Sequence, residues 1–188
     1  MKNILIINAH EYHEMAKGHL NQTLTERMID KLSSSYNVRT TIVENGYDIK
    51  EEQEKFKWAD TIIFQTPVYW YSYPAAFKKY IDSVYEHGIF YHGTETYGVG
   101  GLLKGRQYML SVTWGAAEKV FNSPVDQPFF DGKGVDEVLI AMHKTQQFIG
   151  LKPLKTLSIH SALQPDIEKV LADTDKHLEE VFSLSQNY

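Results

Sequence analysis

The chain reads as an α/β domain on a five-stranded parallel sheet. Two observations carry this. Short apolar or β-branched runs recur along the 188 residues, and between them lie stretches whose apolar residues return at helical spacing. Parallel neighbours need crossover connections, and the alternation supplies them. A chain of this length fits one domain, 1–188, because two halves would each be small for a self-supporting core.

Ile4-Leu5-Ile6-Ile7 is wholly apolar and ends at Asn8, as a strand covered on both faces requires. From Leu20 to Leu32, Leu20, Leu24, Met28 and Leu32 line one helical face. Val38 to Val43 is β-branched and predicts the second strand. Glu51 to Trp58 is polar apart from Phe56 and Trp58 and predicts a short helix. The third strand is Thr61 to Thr66, stopped by Pro67, which cannot donate to a central ladder. Pro74 suits the first position of a helix through Phe77, Tyr80, Ile81 and Val84. Gln107 to Thr113 predicts the fourth strand, Val135 to Ile149 a helix closed by Gly150, and Thr156 to Ile159 the fifth strand. Pro165 opens a last helix whose inner side carries Ile167, Val170, Leu171, Leu178 and Val181, with an apolar gap between 171 and 178. One long insertion, Glu86 to Gly105, carries Gly88, Gly93, Gly98 and Gly100 before Gly101 and Gly105 close it. Loops of that length are more often functional than idle.

Composition narrows the chemistry. There is no cysteine, which excludes disulfides, thiolate nucleophiles, cysteine-held zinc and iron–sulfur clusters. Redox chemistry therefore has to come from a borrowed cofactor. A net charge of −5 without any basic run argues against a grip on nucleic acid. No apolar run is long enough to span a bilayer, and Ile4 to Ile7 is too short for a secretory signal. A cytoplasmic protein with no direct membrane insertion is expected.

In open parallel sheets, ligands bind beyond the carboxyl ends of the strands. Three loops belong to that edge. Asn8 to His19 leads into a helix whose N–H groups suit a phosphate, with Asn21, Thr23 and the backbone near Gly18 as donors; a plain βα connection is the competing reading. Neither G-x-G-x-x-G nor G-x-x-x-x-G-K-[ST] is present. Pro67-Val68-Tyr69-Trp70-Tyr71-Ser72-Tyr73-Pro74 sets four large aromatics between two prolines. They are too many to point inward together, and they suit a planar heteroaromatic ligand. Thr113-Trp114-Gly115-Ala116 offers small residues and free N–H groups for a ring edge. The three loops together outline one pocket, with a phosphate end, a stacking wall and ring-edge donors.

His10 and His13 with Glu11 and Glu14 read H-E-x-H in a loop, without the i, i+4 alignment of a helical zinc site, so no metal is expected. His143 suits helix packing. No G-x-S-x-G elbow is present.

At these residues the chain resembles the flavodoxin-like NAD(P)H:quinone reductases, and most closely the group called modulator of drug activity B. The matching stretches are residues 3–8, 20–26, Trp58-Ala59-Asp60, 67–70, 78–82, 97–102, 108–114 and Gly134-Val135-Asp136. The resemblance implies a flavodoxin-like three-layer sandwich with sheet order 2-1-3-4-5, FAD, and a homodimer with flavin near the subunit boundary. It also implies a diphosphate loop at Ala16, Lys17, Gly18, His19, Leu20, Asn21, Gln22 and Thr23. The isoalloxazine contacts fall on Pro67, Val68, Tyr69, Trp70 and on Thr113, Trp114, Gly115, Ala116, with Tyr97 as a further flavin contact. Ala16 stands where the family often has a serine; one hydroxyl donor is lost, Lys17 offers charge instead, and FMN stays open as the alternative.

The activity implied is hydride transfer from NADPH or NADH through the flavin to a quinone, by alternate occupancy of one site. Tyr91 or His92 is a candidate proton donor to the quinone oxygen, although water can serve. Lys104, Arg106 and Lys119 are the candidates for reading the adenosine 2′-phosphate. Other readings are a flavin-bearing regulatory subunit of a potassium-efflux system, a one-electron flavodoxin carrier, and a nitro- or azo-reductase that differs only in the acceptor.

Overall fold

The computed structural model describes residues 1–184 apart from Met15, Pro124, Asp126 and Gln127. Strands β1 (Asn3–Asn8), β2 (Asn37–Ile42), β3 (Thr61–Pro67) and β4 (Gln107–Thr113) pair in the order β2-β1-β3-β4, all parallel. Beyond β4 the fifth strand comes in two pieces, β5 (Lys152–Pro153) and β6 (Leu157–Ile159), both parallel to β4. The order is therefore 2-1-3-4-5, as expected, with an interrupted last strand. Pro153 is accommodated within the first piece. It sits on an outer edge, the position in a sheet that tolerates a missing N–H, between the bonds Lys152 N–H to Arg106 O and Leu154 N–H to Tyr108 O.

Alternation along each strand divides the core into two layers. Leu5, Ile7, Ile62, Phe64, Tyr108 and Leu110 face α2 (Ile49–Trp58), α3 (Ala75–Val84) and α5 (Ile140–Phe148). Ile4, Ile6, Ile63 and Met109 face α1 (His19–Leu32) and α6 (Ile167–Phe182). The central strands are buried on both sides, so they carry unbroken apolar runs.

The expected helix over Val135 to Ile149 is two helices, α4 (Val135–Val138) and α5. Leu139 breaks it at φ −92°, ψ 20°, in the sparsely populated region between helix and strand. The break turns the axis while Leu139 and Met142 both stay fully buried. The apolar gap in α6 is filled by Thr174, which is fully buried and donates its hydroxyl to Val170 O at 2.7 Å. A polar residue can sit on the inner face because its one proton is satisfied within the helix.

Three glycines are required by close approach, Gly100 among them, whose Cβ would meet His92 O at 2.0 Å. At Gly18 the backbone is left-handed, φ +87°, and a Cβ would stand 2.5 Å from the His10 ring. At Gly101 a Cβ would meet Gly150 N at 2.2 Å and Ile149 C at 2.4 Å. There the insertion backbone lies directly against the end of α5. Phe90, fully buried, anchors the insertion by stacking on Tyr85 at 5.0 Å.

Candidate functional site

Strand direction sorts the loops. Those following β1, β3, β4 and β6 gather at the carboxyl end of the sheet, whereas those following helices lie at the other end. A groove of about 390 Å³ crosses the carboxyl end, floored by Pro67, Val68 and Thr113, with the β1–α1 loop and the start of α1 on one side. Ala162, Leu163, Pro165 and Ile167 form its other side. A second cavity of about 420 Å³ adjoins it through the shared residues Val68 and Gly115. Its walls are Trp70, Tyr71, Trp114, Ala116, Val120, Phe129 and Phe130.

The first groove is a donor-rich end. α1 has no side-chain cap and no acid in its first turn, whereas Asp48 caps α2 and Asp166 caps α6. α3 receives a carboxylate from a neighbouring loop, Glu11 Oε2 accepting from Ala76 N–H at 2.9 Å. The first-turn N–H groups of α1 are thus left for an anion, which the positive helix end favours. The loop ahead of α1 is stapled by His10, 4% exposed, whose Nε2 lies 2.9 Å from Ala16 O and whose Nδ1 lies 3.8 Å from Glu44. Its Gly18 presses on that same ring.

Beneath the groove runs a chain of buried polar side chains. Ser111 Oγ–H donates to Gln65 Oε1 at 2.6 Å, and Gln65 Nε2–H donates to Asn21 Oδ1 at 2.8 Å. Asn21 Nδ2 lies 3.3 Å from Thr113 Oγ1.

The aromatic end is strained and polar-poor. Tyr69 and Ser72 exchange two 3.0 Å backbone bonds around Trp70 and Tyr71, whose φ values are 51° and 64°. Two left-handed central residues make a tight hairpin turn that ordinarily takes Asn-Gly. Here it holds two large rings, with Trp70 92% exposed. Tyr69 Oη and Trp114 Nε1 are buried without a hydrogen-bond partner among the described residues. Burial, aided by Glu11, raises the Tyr69 phenol above its ordinary value and keeps its proton in place.

Of the sequence-predicted residues, Ala16, Lys17, Gly18, His19, Leu20, Asn21, Thr23, Pro67, Val68, Tyr69, Thr113 and Gly115 line the first groove, and Trp70, Trp114 and Ala116 the second cavity. Gln22 does not join them: its carboxamide turns outward and donates to Glu26 at 2.9 Å. Tyr91, His92 and Tyr97 are also elsewhere within the chain. Their insertion links α3 to β4, so it lies at the amino end of the sheet, where Tyr91 and Tyr97 pack on Phe148. Arg106 is held there too, donating to Ala59 O and Lys57 O. Lys119 follows β4 and lies, exposed, beside Val120 of the aromatic wall.

Two walls were not foreseen. The Ala162–Ile167 wall follows the fifth strand, and the same strand-end rule that singled out the other three loops points to it. Phe129 and Phe130 lie far along the β4–α4 connection, and their adjacency to Asp131-Gly132 was the available signal. His13 sits edge-on to Tyr69 at 6.2 Å. Among the described residues no group of three His, Asp or Glu is arranged to hold a metal, and no helix is long and apolar enough to cross a membrane.

Residues 2–182 match the family model described as flavodoxin-like fold. The NADPH:quinone oxidoreductase MdaB of Haemophilus influenzae is 40% identical over 192 residues, covering 96% of this chain and 99% of that protein. The glutathione-regulated potassium-efflux system ancillary protein KefF of an Enterobacter species is 31% identical, over 90% of this chain and 89% of its own. A Klebsiella pneumoniae protein described as a candidate quinone reductase superposes with a TM-score of 0.77 at 25% identity, covering 98% of this chain and 86% of the other. With the 2-1-3-4-5 sheet and the carboxyl-end groove in place, the chain belongs to the flavodoxin-like family, in the group of modulator of drug activity B.

Proposed function

We propose that this protein is a flavin-dependent NAD(P)H:quinone oxidoreductase that binds FAD. One observation carries the reading: an uncapped helix N-terminus and an aromatic cavity with two orphaned buried donors adjoin each other across the ends of β3 and β4. A flavin has both halves of that pattern, a phosphorylated tail and a flat polar-edged ring. The Haemophilus relative supports the donor and acceptor classes. When bound, the flavin supplies acceptance of a hydride from NAD(P)H and its delivery to a quinone.

The chain's own residues bind and orient. The first-turn N–H groups of α1 hold phosphate oxygens, with Lys17 adding charge in place of the hydroxyl that Ala16 lacks. Val68 and Gly115 give flat, close contact to the ring, and Tyr69 Oη–H and Trp114 Nε1–H are free to donate to its polar edge. Trp70, Tyr71 and Phe129 exclude water from the outer face and present stacking area to the exchanging partners. Within one chain the proton for the quinone oxygen comes from water, since Tyr91 and His92 lie at the far end from its own groove; across a homodimer they would reach only the partner's.

The far end has its own part in this reading. Tyr97 is 90% exposed beside a cleft of about 790 Å³ between α3, α5 and the insertion. A flavin contact for Tyr97 is therefore one made to the partner's flavin in a homodimer.

Purified protein should be yellow and release FAD on denaturation, which chromatography distinguishes from FMN. Initial velocities with NADPH and menadione should give parallel double-reciprocal lines, and intersecting lines would overturn the single alternating site. The Enterobacter relative favours a second reading, a flavin-bearing partner of a potassium-efflux system. Co-purification with a membrane transporter, at turnover too slow to matter, would select it.

A further inference from the structure

The buried chain Ser111–Gln65–Asn21–Thr113 has a direction, and the direction decides what the groove offers a ligand. Gln65 and Ser111 are cross-strand neighbours on β3 and β4, on the sheet face that α1 covers. Both are 0% exposed, and Asn21 and Thr113 are nearly so. Deeper on the same face stand Ile63 and Met109. The polar residues therefore form a closed set, walled below by hydrocarbon and opening only toward the groove.

Counting protons fixes the order. The single proton of Ser111 Oγ goes to Gln65 Oε1, its one side-chain partner among the described residues. That places Gln65 Nε2 toward Asn21, so Asn21 Oδ1 must accept and Nδ2 must face Thr113 and the groove. With both carboxamides turned over, Gln65 Nε2 would donate to Ser111, and the buried Ser111 proton would lose the side-chain acceptor it has among the described residues. In the observed order Asn21 Nδ2 keeps an N–H beyond its contact with Thr113 Oγ1, whose own hydroxyl also lies 3.4 Å from Asn21 Oδ1 and can donate to it. Both residues line the groove. The lip presents the Asn21 N–H in this order and would present the Asn21 oxygen in the reverse one.

We propose that Gln65 is a positioning residue that, backed by Ser111, holds the Asn21 carboxamide with its N–H toward the groove and so selects a ligand presenting acceptor oxygens. The inference rests on the flavin reading for the ligand's identity but not for the order of the chain. Gln65→Glu tests it. Protonated, the carboxyl accepts from Ser111 and donates to Asn21 Oδ1, as glutamine does. Ionised, it accepts from both neighbours, draws Asn21 N–H inward and turns Oδ1 to the groove.

Titrations of flavin-free protein with FAD and with FMN, from about pH 5.5 to about pH 9, should show Gln65→Glu close to wild type at the acid end. Its affinity should then fall about ten- to a hundred-fold relative to wild type as the carboxyl ionises. Circular dichroism at each pH reports folding. A variant folded throughout whose ratio to wild type is flat in pH overturns the proposal. Ser111→Ala removes the source of the direction without adding charge, and it should weaken flavin several-fold at every pH and displace the Asn21 side-chain amide signals in ¹⁵N spectra of ligand-free protein. If Gln65→Glu unfolds on ionisation, Ser111→Ala decides alone. Should wild type take up neither flavin, the functional reading falls while the amide signals still judge the chain: displaced, it stands; unmoved, it fails.

Discussion

At the scale of single residues, Trp70 and Tyr71 mark where local preference has been overridden. Large side chains in the left-handed region cost roughly 1–3 kcal/mol each; Tyr71 recovers part of that against Phe129 and Phe130 at 5.8 Å, while Trp70 stands almost wholly exposed. The double change Trp70→Asn, Tyr71→Gly restores the residues such a turn prefers. It should raise the urea midpoint by about 1 kcal/mol or more of stability, while quinone turnover falls and flavin is retained less firmly. A loss of stability would show that the rings support the fold. Two histidines report in the opposite sense. Burial lowers both His160 and His177 below the ordinary imidazole range. His160 Nε2 lies 3.0 Å from Ser158 Oγ near Glu118, and His177 Nε2 lies 3.1 Å from Lys155 O with Glu180 nearby. The unfolded chain takes up these protons first. Stability is therefore full above about pH 6.5 and declines as pH falls below it. Urea midpoints measured between about pH 7.5 and about pH 5.5 should fall, and His160→Gln with His177→Gln should flatten the slope.

At the scale of elements, the contact between the insertion and α5 is set by backbone alone. Gly101→Ala forces a Cβ into Gly150 and Ile149, neither of which has a flexible end to move. A cost of about 3 kcal/mol or more is expected in urea melts. Every strand but the two-residue piece Lys152–Pro153, and each long helix, could be read from periodicity because burial on two faces, or one stripe, forces it. Gln107–Thr113 matches to the residue, and α1 to within one. What escaped was set by tertiary context. The break at Leu139 leaves the apolar pattern intact, and Thr174 in α6 is polar by type but satisfied within its own helix. Most of the site was legible for a similar reason, since loops after parallel strands must converge. Tyr91 and Tyr97 stand apart from the groove within the chain, because a helix-to-strand insertion lies at the amino end of a parallel sheet. The Gln65 chain went unread because a glutamine inside an apolar strand declares its role only when Ser111 and Asn21 are seen beside it.

At the scale of the whole molecule, the two ends of the sheet divide the labour. The carboxyl end carries the groove, and the amino end carries an apolar face in which Val99 and Leu102 are exposed close in sequence to Tyr97. If that face meets a second copy, Tyr97→Glu should lower the mass in analytical ultracentrifugation from dimer to monomer at micromolar concentration. Its thermal midpoint as a monomer should scarcely change, since an exposed side chain contributes little to its own fold. Wild type sedimenting as a monomer throughout would remove Tyr97 from any flavin contact. The interrupted last strand has a separate effect. On that edge an incoming extended segment would find only two residues of β5 and three of β6 to pair with, divided by a gap, whereas the opposite edge offers the six residues of β2. So short and broken a rim templates strand addition poorly, and any edge-to-edge association in concentrated stocks falls to β2 instead.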